Sequence, residues 1–147
     1  MTVRAILDTK GHHITGVEPD AKLSAAIKIL AEKKIGAVLA MSNGRIEGIL
    51  SERDIVRTMA NGGSAVLQLP VGQVMTSNVS TCDVNDSISS VMDRMTTGKF
   101  RHMPVLDNDR LAGLVSIGDV LKLNLEIIRE HIHRLSASFA EAKLMRL

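Results

Sequence analysis

Gly48-Ile49-Leu50-Ser51-Glu52-Arg53-Asp54 decides the reading of this chain, because sixty-five residues later the pattern returns as Gly113-Leu114-Val115-Ser116-Ile117-Gly118-Asp119. Each copy is a glycine, two aliphatic residues, a serine, and an aspartate three residues on. The register extends outward without a gap: Asn43 falls on Asn108, Arg45 on Arg110, Leu23 on Ile88, Leu30 on Met95 and Ile35 on Phe100. A repeat of this length means one supersecondary unit used twice. Ser-x-x-Asp after an apolar run has two physical readings. In one, serine caps a helix and the acid reaches back to the cap amide. In the other, the strand-to-helix junction presents free N–H groups to an anion while the carboxylate accepts both hydroxyls of a ribose.

Working outward, each half reads β-α-β-β-α. Ile14 to Val17 is a short strand, and Asp20 is a candidate N-cap for a helix with Leu23, Ala26, Ile27 and Leu30 on one face. Ile35 to Met41 is a buried strand, Asn43-Gly44 a hairpin turn, Ile46 to Leu50 the return strand, and Ser51 opens a helix to about Ala60. The second pass gives a strand over Val79 to Cys82 and a helix capped by Asn85 or Asp86. A strand from Arg101 to Leu106, a turn at Asp107 to Asp109, a strand from Leu111 to Val115 and a helix from Ser116 complete it. Residues 3–13 are a lead-in ending in the loop Lys10-Gly11-His12-His13. Val3 to Leu7 resembles Val71 to Met75, with three extra residues following it in the first copy. The expected organisation is unit one over 2–62, a linker over 63–70, unit two over 71–125 and a helical extension over 126–147.

Composition limits the functions available. The 147 residues are 45% hydrophobic and 1% aromatic, with Phe100 and Phe139 the whole aromatic complement, so the core is aliphatic. A formal charge of +2 is too small for the basic field of a nucleic-acid binder. No apolar run reaches spanning length, and no signal peptide stands out. The lone Cys82 excludes an intramolecular disulfide and points to a reducing, cytoplasmic setting; a buried small hydrophobe is its expected role. His12-His13 and His131/His133 lack the spacing of metal ligands, and no metal site is expected. No nucleophile-base-orienter set or Walker-type loop stands in the sequence, which argues against an enzyme. From Asp119 onward there is no glycine or proline, and Leu121, Leu125, Ile128, Ile132, Leu135, Phe139 and Ala142 mark a heptad seam. A partner subunit is the expected cover for it, with folding back on the same chain as the alternative.

Taken with their order and doubled register, Val71-x-x-Val74-Met75-Thr76, Phe100-Arg101-His102-Met103-Pro104-Val105 and the two Gly-x-x-Ser-x-x-Asp segments resemble a tandem pair of cystathionine-β-synthase-type (CBS) domains over residues 2–125. The resemblance implies an α/β (α+β) fold with two units in pseudo-twofold tandem, a long C-terminal helix, and pairing of two chains into a four-domain disc. It also implies two clefts for adenosine-containing ligands: AMP first, then ADP, ATP, NAD(H) or S-adenosylmethionine. Carried over by position, Asp54 and Asp119 would hold ribose hydroxyls, and Ser51 and Ser116 would sit near ribose or phosphate. Thr15, Gly16, Val17, Ser80, Thr81 and Cys82 would flank the adenine. Backbone at Ile35, Gly36 and Ala37 and at His102, Met103 and Pro104 would meet the base edge.

Arg53, Arg101 and His102, with Lys34 and Arg57 more loosely, supply cations for phosphate. Ile117 and Gly118 complete the second motif; Gly118 replaces Arg53, so the second cleft is expected to hold phosphate less firmly. The implied function is a non-catalytic nucleotide sensor acting on a separate protein. A structural dimerisation module with empty clefts is its rival.

Overall fold

The computed structural model describes residues 1–146; Leu147, the last position of the expected extension, lies outside the described residues. The elements run α1 Val3–Lys10, β1 Gly16–Val17, α2 Leu23–Lys33, β2 Ala37–Ser42, β3 Arg45–Ser51 and α3 Glu52–Gly62. Two 3-10 turns, Gly63–Gln68 and Val71–Gln73, lead to β4 Cys82–Asp83, α4 Ile88–Gly98, β5 His102–Asp107, β6 Arg110–Ser116 and α5 Ile117–Met145. Two three-stranded sheets result, β1-β2-β3 and β4-β5-β6, each with one parallel and one antiparallel pairing. Register repeats as faithfully as sequence. The ladder shifts between Ala40 and Met41 in one sheet and between Val105 and Leu106 in the other, positions sixty-five apart. Both hairpins turn through positive φ, at Asn43 (52°) and Gly44 (75°) and at Asn108 (50°) and Asp109 (63°). Short polar side chains and glycine adopt that conformation most readily.

The structure differs from the sequence reading at several element boundaries. The opening strands shrink to two residues because only those pair with the neighbouring strand, Gly16 with Leu39 and Cys82 with Val105 at their starts. Helix α2 is capped at Lys22 rather than Asp20, and α4 at Ser87 rather than Asn85 or Asp86. Asp86 instead accepts from the amide of Asp83, closing the turn before the helix. The lead-in is itself a helix, α1, ended at Gly11 by a φ of 97°.

The two cores exchange their lead-ins. Val3, Ile6 and Leu7 of α1 pack with Cys82, Val84, Val91, Met95 and Met103 in the second unit's core. Val66 and Val71 pack with Leu23, Ala26, Val38 and Leu50 in the first. The motif glycines admit these crossings. A β-carbon on Gly113 would lie 2.6 Å from Leu7 Cδ2, and one on Gly48 would lie 2.5 Å from Met75 Sδ. The units are thereby stitched across their junction, and the clefts form there. Helix α5 runs 29 residues, roughly 43 Å at 1.5 Å per residue. Val120 anchors its first turns in the core, while Leu125, Ile128, Ile132, Leu135 and Phe139 remain exposed.

Candidate functional site

Each Ser-x-x-Asp segment closes a capping box. Asp54 N donates to Ser51 Oγ at 3.3 Å while Ser51 N donates back to Asp54 Oδ2 at 2.9 Å. The matching distances at Ser116 and Asp119 are 3.2 and 2.8 Å. The next amides are also consumed: Glu52 N donates to Gly36 O and Ile117 N to Arg101 O, again equivalent positions. Of the two sequence readings, the second left these N–H groups free for an anion. In the structure strand carbonyls and serine hydroxyls take two at each helix, so side-chain cations must supply most of any phosphate's partners.

Asp54 nevertheless borders a large cleft. Its Oδ1 lies 3.3 Å from Thr76 Oγ1, which donates to it across the unit junction. The carboxylate is nine-tenths buried, the one charged side chain of that burial among the described residues. It stands in a cavity of about 770 Å³, within the roughly 300–1,000 Å³ that small-molecule clefts span. Gly36, Ser51, Arg53, Ser80, Arg101, His102, Ser116 and Ile117, all expected site residues, share its wall. Arg57, Lys99 and Arg101 add positive charge to that wall. Arg53 already reaches across it, donating from Nη1 to Lys99 O at 3.3 Å. Thr76, Asn78, Val79 and Lys99 were not among the expected site residues, although Thr76 closes the motif that begins at Val71. Lys99 carried a signal: it is the repeat equivalent of Lys34, and both occupy left-handed C-cap positions, at φ 57° and 54°.

The opposite cleft is smaller, about 370 Å³, and is lined by Lys10, His13, Thr15, Lys34, Ile35, Gly36, Ala37, His102, Leu114 and Ser116. Each cleft therefore combines a serine-led helix start from one unit with strand residues of the other, as two units related by a pseudo-twofold require. The equivalence ends at the aspartates. Asp119 is absent from this wall, and its Oδ2 accepts from Lys10 Nζ at 2.7 Å.

A protein-family model described as CBS domain matches residues 3–61 and again residues 71–126. The chain belongs to the CBS-domain family. A crystal structure of a CBS-domain containing protein from Agrobacterium tumefaciens is similar at 43% identity with a TM-score of 0.82, over 84% of this chain and 99% of that one. The CBS domain-containing protein YhcV of Bacillus subtilis is 28% identical over 79% of this chain and 82% of its own length. The CBS domain pair of protein MJ0100, solved in complex with 5'-methylthioadenosine and S-adenosyl-L-methionine, shares the fold at 23% identity and a TM-score of 0.73. That match covers 84% of this chain and 94% of the other.

Not every residue expected to line a cleft of the CBS pair does so. Cys82 and Met103 are buried core residues of the second unit, Pro104 is buried beside them in β5, and Val17 packs on the first core. Alternation turns Met103 to the face opposite His102, while Pro104, two residues further along β5, is buried and lines neither wall. Of this run only the His102 side chain stands at the cleft. Gly16 is exposed outside both clefts, Thr81 gives its carbonyl to Arg94, and Gly118 lines neither wall. Burial pushes the Cys82 thiol up to about 12, with Asp86 adding to the effect, so it is a packing residue rather than a nucleophile.

His102 is common to both clefts of the CBS pair. Its ring lies over Gly36, where a β-carbon would come 3.1 Å from Cε1 and Nε2. Burial holds its pKa below the ordinary 6.5, and the Lys10 ammonium adds to this against the opposing carboxylates of Glu52 and Asp119. A depressed histidine contributes stability in full above the unfolded value and loses it as pH falls through that value toward the folded one. Thermal melts should therefore show wild type losing more stability than His102→Gln between about pH 7.5 and about pH 5.5. Asp119 does not titrate in that window. Although burial raises it, the Lys10 bond and the Ser116 amide outweigh burial and hold its carboxyl below 3.8. Equal losses in the two proteins would contradict a neutral, penalised His102.

Proposed function

We propose that this CBS pair is a non-catalytic regulatory module that binds an adenine nucleotide in the cleft at Asp54. AMP is the first candidate and ADP, ATP or NAD(H) the others. The observation that carries the proposal is the meeting, in one cavity of about 770 Å³, of a nearly buried carboxylate with arginine and lysine side chains from both units. Asp54 suits a ribose diol, since a carboxylate accepts two hydroxyl donors, and Thr76 already holds one such position. Arg53, Arg57, Lys99 and Arg101 suit a phosphate group. The adenosine-derived ligands of the MJ0100 pair favour the same class of molecule.

Regulation would act through assembly. The exposed stripe Leu125, Ile128, Ile132, Leu135 and Phe139 on α5 fits a second copy of the chain, giving a homodimer. A ligand that prefers one dimer geometry shifts the population toward it, and with it the activity of a separate protein. The buried free thiol of Cys82 favours the reducing cytoplasm as its setting.

The protein contains no Trp or Tyr, so it is nearly silent at 280 nm and retained nucleotide shows directly as a band at 260 nm. Mass spectrometry of the released material names it. Calorimetric titration of stripped protein with AMP, ATP and NADH is expected to give saturable binding by at least one of them. Sedimentation should show a dimer. Absence of heat with all three at millimolar concentration would sink the proposal.

A further inference from the structure

Lys10 distinguishes the two clefts. In the first, the group facing the motif carboxylate is the short hydroxyl of Thr76. In the second, it is the Lys10 ammonium, which donates to Asp119 Oδ2 at 2.7 Å and to Leu114 O at 2.9 Å. The sequence difference behind this is the three-residue excess after the lead-in of the first repeat. Helix α1 runs eight residues, whereas the corresponding 3-10 turn, Val71–Gln73, runs three. The longer helix carries Lys10 over β6 and against the second motif.

The segment is fixed there at more than one point. Gly11 turns the chain at φ 97° and donates its N–H to Leu7 O at 2.7 Å. Two residues beyond Lys10, His12 Nδ1 lies 2.9 Å from Ala112 O, so the loop is held to alternate carbonyls of one strand, at 112 and 114. The cavity left beneath it is about half the volume of the other, 370 against 770 Å³, and Asp119 is not on its wall. A ribose seeking Asp119 would meet an ammonium already bonded to the carboxylate, on the same Oδ2 that accepts from Ser116 N. The phosphate end would also be poorer, because Gly118 stands where the first motif has Arg53.

We propose, resting on the nucleotide function above, that the pair binds one nucleotide per chain, in the Asp54 cleft, and that Lys10 is the residue that closes the second. Lys10 thus acts as a tethered cation that crowds and neutralises the Asp119 carboxylate. The unequal clefts make the ligand's effect on the units asymmetric.

The test is calorimetric stoichiometry with AMP as the probe, repeated with ATP, on wild type, Lys10→Ala, and Lys10→Ala combined with Asp119→Ala. The expected results are one equivalent per chain for wild type, two for Lys10→Ala, and one again for the double variant. Lys10 is a partly exposed end-of-helix residue, so melting temperatures close to wild type are expected and show that the fold is kept. Two equivalents in wild type would overturn the closure while leaving the nucleotide function standing. One equivalent in Lys10→Ala would also overturn it. No binding by any of the proteins would overturn the nucleotide function, and the closure with it.

Discussion

Asp54→Ala is expected to weaken AMP binding by roughly 100-fold or more, since two charge-assisted hydrogen bonds at about 1.5 kcal/mol each sum to about 3 kcal/mol and each 1.4 kcal/mol is tenfold. The size of the effect follows from burial. Asp54 is 9% exposed, so little water would replace the missing partners of a ribose held there. Alanine also removes one half of the capping box on α3, worth about 1 kcal/mol of stability. Asp54→Asn separates the two consequences. Its amide carbonyl can still accept from Ser51 N and preserve the helix start, but it offers one acceptor oxygen where the carboxylate offers two. The asparagine variant should therefore melt near wild type yet bind AMP at least tenfold more weakly. Asp119→Ala, by contrast, should leave affinity at the first cleft within about threefold, because it frees Lys10 while a ribose at Asp54 keeps its hydrogen bonds. Calorimetric affinities of the three variants decide the matter. An Asp54→Ala protein that binds AMP within threefold of wild type would remove the ribose role from this carboxylate.

The doubled motif made most of the fold legible, because strand order, hairpin turns and helix faces are local patterns and the offset of sixty-five copies them. Even the ladder irregularities at Ala40 and Val105 obey it. What local pattern could not carry was packing across the junction. Val3, Ile6 and Leu7 read only as a lead-in, since the surface they cover belongs to residues more than seventy positions away. The same holds for Lys10 and Asp119, bonded across 109 positions, so the inequality of the two clefts was anticipated only at Gly118. The capping reading of Ser-x-x-Asp is the one the geometry shows, and it does not use the whole carboxylate. One Asp54 oxygen closes the helix cap while the other faces Thr76, and the cap is what fixes the carboxylate's position at the cleft. Strand alternation explains one side chain that failed to reach a cleft. Met103 had to be core if His102 was not.

Gly48→Ala should be strongly destabilising, at about 3 kcal/mol or a fall of roughly 10 °C in melting temperature. Gly48 has an ordinary backbone conformation, so the restriction is space. Its β-carbon would stand 2.5 Å from Met75 Sδ, 2.8 Å from Met75 Cγ and 2.8 Å from Thr76 O. Methionine can swing aside, but the Thr76 carbonyl cannot. It accepts from Ile49 N at 2.9 Å while Thr76 N donates to Ile49 O at 2.9 Å, a two-bond bridge that ties the second lead-in to β3. The methyl would force that bridge open, adding broken hydrogen bonds of about 1 kcal/mol each to the overpacking cost. Gly113→Ala is the built-in comparison, because its β-carbon would meet only the side chain of Leu7, at 2.6 Å. Leu7 is buried and resists, yet a side chain can repack where a paired backbone cannot, so Gly113→Ala should cost less than Gly48→Ala. The damage should also reach the ligand, since Thr76 carries the hydroxyl that faces Asp54. AMP affinity should fall in Gly48→Ala at temperatures well below its melt, and hold in Gly113→Ala. Differential scanning calorimetry beside titration reads both effects. A Gly48→Ala protein that melts within about 2 °C of wild type would mean that the lead-in is not pinned at Thr76.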